Sequence, residues 1–95
     1  MTVGILRITM AIPASTLKEK RAIVKSVVER LRNRFNASVA EVDDLDDPGR
    51  VTIAAACLSN EAHHADQQLQ SIARVVEEWR LDAEILEIET ELVRL

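Results

Sequence analysis

Aromatic side chains are nearly missing from this sequence, which has one Phe, one Trp and no Tyr. A sheet that binds RNA by stacking bases needs rings on its open face, so this scarcity argues against recognition of that kind. Cysteine is as scarce. The single Cys57 cannot form an internal disulfide, and there is no Cys/His cluster of zinc-site spacing, a pattern that suits a reducing cytoplasm. Cys57 itself lies in an apolar, small-residue stretch without a neighbouring base, the setting of an inert thiol. Long apolar runs are absent too. The opening MTVGILRITMAIP is interrupted by Arg7, closed by Pro13 and preceded by no basic region, and it is too short to span a bilayer. Without low-complexity tracts, linkers or repeats, residues 1–95 read as a single domain.

What is present is a marked separation of charge. The formal net charge of -4 hides seven basic and two acidic groups in residues 15–36, against four basic and fourteen acidic groups in residues 37–95. Such a chain offers one attractive and one repulsive side to a polyanion. With 47% apolar residues, a domain of this length buries roughly 60 to 65% of its unfolded surface, enough for a cooperative fold.

The basic segment is also the clearest helix. Thr16 and Glu19 have the spacing of a capping box, so the helix should begin at Leu17. Val24, Val27, Val28, Leu31 and Phe35 then share an apolar face. At ~100° per residue, Lys18, Arg21, Lys25 and Arg32 fall in a band roughly 60° wide along one flank of that face. Lys20 lies near the apolar band and is expected to snorkel, its stem over the core and its amine in water.

Around this helix, residues 3–12 alternate as a strand, with Leu6, Ile8, Met10 and Ile12 turned toward the helices. SVAEVDDL supplies a second strand, expected to place Ala40 and Val42 on one side and Val39, Glu41 and Asp43 on the other. Asp46-Asp47-Pro48-Gly49 signals a hairpin turn, with Gly49 able to take positive φ. VTIAAACLS forms a central strand. Asn60 is placed to cap a second helix bearing Ala62, Ala65, Leu69, Ile72, Ala73 and Val76 on one face, with Trp79 at its edge. Residues 83–95 alternate Leu86, Ile88 and Leu92 with Glu87, Glu89 and Glu91, which describes a strand with one wet face.

The order β-α-β-β-α-β predicts an α+β, ferredoxin-like sandwich: a four-stranded antiparallel sheet of order 4-1-3-2 with two helices on one face. The open face should then carry Val3, Ile5, Arg7, Val39, Glu41, Asp43, Ile85, Glu87, Glu89 and Glu91. Acylphosphatase chemistry occurs on this fold, but it needs an Arg-bearing, Gly-rich phosphate loop after the first strand, and AIPAST has neither residue. His63 and His64 are adjacent, so on a helix they point ~100° apart and cannot chelate one metal together. The glutamates near the C-terminus are explained by a solvated edge strand. No catalytic residue, metal or cofactor is expected.

The segments VGILRITMAIP, LKEKRAIVKSVVERLRNRFNASVAEVD and LSNEAHHADQQLQSIARVVEEW resemble the YlxP-like family of small bacterial domains across nearly the whole chain. The most specific parts are Leu17 to Arg21, Leu31 to Phe35 with Val39 to Val42, and Ser59 to Glu61. The hairpin departs from the pattern: family members tend to have an aromatic residue followed by polar ones after VAEVD, where this chain has DDLDDPGR. The resemblance implies a ferredoxin-like fold, no assigned catalytic residues and, through genes commonly neighbouring the family's, an association with the small ribosomal subunit. Two functions are therefore expected of such a chain. One is a non-enzymatic RNA- or ribosome-binding module of the cytoplasm, using Lys18, Arg21, Lys25 and Arg32 against ribosomal RNA. The other is a regulatory or oligomerisation domain that forms a weak homodimer through its open sheet face.

Overall fold

The computed structural model describes residues 1–79 and 82–95. Its elements follow the expected order: β1 (Thr2–Ala11), α1 (Leu17–Arg34), β2 (Ser38–Asp43), β3 (Arg50–Ser59), α2 (Ala62–Glu78) and β4 (Glu84–Arg94). All strand pairs are antiparallel, in the order β2-β3-β1-β4. Both helices cover one face of this ferredoxin-like sheet. Helix α2 lies over the centre against β1, β3 and β4, while α1 lies over the β2 side.

Alternation in β1 and β3 decides what the helices meet. Leu6, Ile8 and Met10 oppose Ala55, Ile53 and Val51 across the central ladder, and all six are buried under Leu69, Ile72 and Val76 of α2 and Val27, Val28 and Leu31 of α1. Val24 and Phe35 are only half-buried at the margin, and Ile88 on the β4 edge keeps 38% of its surface in water. Leu69 is fully buried, a contribution of roughly 1.5 to 3 kcal/mol. Its close approach depends on Gly4: a Cβ there would stand 3.1 Å from Cys57 Sγ and 3.2 Å from Leu69 Cγ.

Two β-bulges reverse facings that simple alternation predicts. Val39 and Glu41 pair with Ala55 and Ile53, so they point toward the helices, and Val39 is buried in the core. The open face receives Ser38 and Ala40 instead. An irregularity at Val42 then brings Asp43 opposite Thr52, returning it to the open face as expected. In β4 the register shifts so that Met10 opposes Ile85 and Thr9 opposes Glu87. Ile85 therefore packs against the core, while Leu86, the extra residue of the bulge, is 46% exposed. A bulge places two residues against one, and every side chain beyond it changes face.

The helix caps agree in part with expectation. Thr16 accepts from the Glu19 N–H at 3.2 Å, and the Glu19 carboxylate accepts from the Ser15 N–H at 3.3 Å, closing a capping box one residue wider than the usual one. Helix α2 is capped at Glu61, not Asn60, and without a side-chain bond.

Lys20 is the largest departure. Its position is the middle of the α1 apolar face, and it is 1% exposed, so it does not snorkel. The ammonium pairs with Glu41 Oε2 at 2.9 Å and donates to the carbonyls of Asp44 and of Asp47, the latter at 2.7 Å. The Glu41 contact is a meeting of charges, with no well-directed hydrogen bond at Oε2. Asp44, not Gly49, is the residue with positive φ, at 59°, a conformation that Asp tolerates. The hairpin is thus wrapped around a buried cation. The bond from Asp47 N–H to Asp44 O, at 3.1 Å, closes its turn, and the bond from Ile12 N–H to Gly49 O, at 2.9 Å, ties it to the residue that follows β1.

Candidate nucleic-acid interface

A continuous helix from Leu17 to Arg34 displays its polar positions at fixed angles, so the four expected cations occupy a single flank. Lys18, Arg21, Lys25 and Arg32 are all exposed. Among the described residues, Lys18, Arg21 and Lys25 take part in no ion pair. Glu29 is spaced to neutralise Lys25 and Arg32, yet neither pair forms. Their charge is therefore available to an anion.

Arg32 differs from the other three. Its guanidinium donates to the Val39 carbonyl at 2.7 Å, fastening the end of α1 to the β2 edge strand. Removing it would orphan a backbone acceptor, which costs on the order of 1 to 3 kcal/mol where water cannot replace the donor. The structure places Lys18, Arg21 and Lys25 together as an exposed cationic ridge and gives Arg32 a structural bond as well.

Glu29 shares this flank, roughly 20° around the helix from Lys18; other acidic residues lie on the open sheet face or in the hairpin. Glu87, Glu89 and Glu91 are exposed on β4 opposite Thr9, Arg7 and Ile5, on the sheet face away from the helices. In the hairpin, Asp43 pairs with Arg7 at 3.5 Å. Asp44 pairs with Arg50 at 3.3 Å and accepts from Thr52 Oγ1 at 2.7 Å. Because that proton is committed to Asp44, the 3.1 Å bond between Thr9 and Thr52 has Thr9 as donor. Cations unpaired among the described residues line one flank of α1, and the carboxylates of Glu87, Glu89 and Glu91 stand on the open sheet face.

Cys57 and the two histidines lie away from this flank. Burial pushes the Cys57 thiol up from its ordinary value, a backbone bond from Gly4 partly opposing it, and the thiol donates weakly to the Ala65 carbonyl at 3.7 Å. His63 and His64 are exposed, and His64 Nδ1 lies 3.3 Å from Glu61 Oε2 at the start of α2.

Comparison with known proteins agrees with this architecture. The family described as protein of unknown function, DUF503, matches residues 3–90. The chain belongs to the DUF503 family. A relative in Bacillus subtilis (strain 168), uncharacterized protein YlxP, is 30% identical over 66 residues, covering 70% of this chain and 72% of that protein. Among solved structures, a Deinococcus radiodurans protein provisionally assigned as an antibiotic biosynthesis monooxygenase superposes with a TM-score of 0.51. It is 14% identical, with 100% of this chain and 92% of that one covered, a likeness of fold alone. Within this DUF503 chain, no described helix is long and apolar enough to cross a membrane.

Two features of the DUF503 fold were not legible in the residues. Arg30 and Arg34 lie on the other flank of α1, roughly 170° around the helix from Lys18 and Arg21, and with Asn33 they line a hollow beside Trp79 at the end of α2. On the open sheet face, Ile5, Ala40, Val42, Ala54 and Ala56 line a shallow hollow of about 570 Å³. The i, i+3, i+4 spacing of the arginine set could have been noticed. Its aromatic partner on the other helix could not.

Proposed function

We propose that the protein is a non-catalytic RNA-binding module of the cytoplasm that docks the basic flank of α1 on phosphates, with ribosomal RNA of the small subunit as its partner. The observation that carries this reading is the exposed ridge of Lys18, Arg21 and Lys25 without carboxylate partners among the described residues. Lysine and arginine on such a ridge gain affinity by releasing counterions from a polyanion. The acidic open face would repel the same polyanion, so it orients the encounter with α1 leading.

The test is binding to purified small ribosomal subunits across a salt series. Three phosphate contacts predict a slope of log K against log salt of roughly -2 to -3, at about -0.9 per contact as for duplex DNA. Replacing Lys18, Arg21 and Lys25 together by Ala should flatten that slope by the same amount with the fold intact. Arg32 is kept, because it fastens β2. A folded triple variant that binds with unchanged affinity and slope refutes the mechanism.

A second reading rests on the open sheet face, where the hollow beside Ala54 and Ala56 is flanked by exposed Val42 and Leu58. A second copy of the chain could cover it as a weak symmetric dimer with a regulatory role.

A further inference from the structure

The chain's only Trp and only Phe each carry an arginine. The Arg30 guanidinium carbon lies 5.5 Å from the centroid of the Trp79 ring, and that of Arg34 lies 6.0 Å from the centroid of Phe35. Arg30, Asn33 and Arg34 stand at i, i+3 and i+4 and so share a helix face. Trp79 closes α2, its backbone N–H shared between the carbonyls of Val75 and Val76 at 3.1 and 3.3 Å, and its ring is packed against the core. These four residues line an open hollow of about 500 Å³. No carboxylate lines it, and neither arginine forms an ion pair among the described residues.

This is a different chemistry from the Lys18 flank. A ring beneath a guanidinium holds a long side chain in place and presents its flat outer surface to solvent. Bare charge recognition needs no such plane, whereas an unpaired base does, since bases stack on arginine planes as well as on rings. Asn33 adds an amide with both donors and an acceptor for a base edge. Arg34 stands about 6 Å further along the helix, placed for the next phosphate. We infer that this hollow takes one unpaired base of single-stranded RNA, stacked on Arg30 over Trp79, with Asn33 reading its edge and Arg34 on the adjoining phosphate. The inference rests on the RNA-binding reading above and adds a preference for single strands. An acidic peptide is the competing occupant, and the Trp79 ring under the Arg30 guanidinium, which bare charge recognition does not need, argues against it.

Trp79 is its own reporter, being the sole indole. The experiment titrates the full chain with a short oligoadenylate, a base-paired RNA hairpin and polyglutamate, reading Trp79 fluorescence and affinity for the parent and for Arg30→Lys. Oligoadenylate should change the fluorescence, and Arg30→Lys, which keeps the charge and loses the plane, should weaken its binding by roughly five- to 100-fold. Paired RNA should bind both proteins alike, with the same salt slope. Equal binding of oligoadenylate by parent and variant overturns the inference, as does polyglutamate competing as well as oligoadenylate. Should paired RNA still bind through Lys18, Arg21 and Lys25 while Arg30→Lys has no effect, only the stacking site fails. Should neither RNA bind at low salt, the proposed function fails with it. If Arg30→Lys does not fold, Asn33→Ala, at an exposed position, carries the test with the same expected direction.

Discussion

Replacing Lys20 by Met should destabilise the protein by about 3 kcal/mol, and the reasoning can be followed atom by atom. Met keeps most of the stem that fills the middle of the α1 face but has no ammonium. Glu41, 19% exposed at its side chain, then loses the cation 2.9 Å away, and the carbonyls of Asp44 and Asp47 lose their donor. Breaking a buried ion pair by removing one partner costs about 3 to 5 kcal/mol. The residual exposure of Glu41, and a hairpin that water can reach, place this case at the lower end. Against a total of roughly 5 to 10 kcal/mol for such a domain, the variant remains folded with much of its margin gone. Urea unfolding followed by circular dichroism measures the loss. Amide exchange should also quicken at Ile12 and Asp47, whose N–H groups bond the hairpin. Replacing Glu41 by Leu in the same protein removes the orphaned carboxylate, so the double variant should recover most of the loss. A loss below about 1 kcal/mol in Lys20→Met, or a double variant no better than the single one, would show that the pair does not hold the hairpin.

Gly4→Ala should lower stability by about 1 to 3 kcal/mol, the usual range for an overfilled core, because the added methyl meets Cys57 and Leu69; an unchanged thermal midpoint would mean that α2 lifts away freely. Cys57 predicts a pH dependence: with its folded pKa raised, the unfolded chain ionises first, so stability is full below the ordinary thiol pKa and falls as pH rises through and above it. Cys57→Ala should remove that part of the alkaline decline, and an identical decline in the variant would refute the assignment. Pairing of open sheet faces would set Glu87, Glu89 and Glu91 of two copies near one another, so the dimer should strengthen as salt screens them; sedimentation showing a monomer at high concentration in both low and high salt removes that reading.

The sequence by itself determined the order of the elements, the start of α1 at Leu17, the central position of β1 and β3, and the ferredoxin-like family of folds. These follow from local causes: a capping box, periods of two and 3.6, and turn residues between them. It also placed Lys18, Arg21 and Lys25 on one flank, since angular position on a helix is set by spacing alone. Tertiary structure decided the rest. The bulges at Val42 and Leu86 depend on how two strands pair, and one extra residue exchanges the faces of Val39, Glu41 and Ile85 without altering their alternation. Lys20 becomes an interior cation only because Glu41 and two hairpin carbonyls, more than twenty residues away in sequence, converge on it. Arg30 meets Trp79 because two helices lie side by side on one sheet, a contact between elements that no periodicity within either of them encodes.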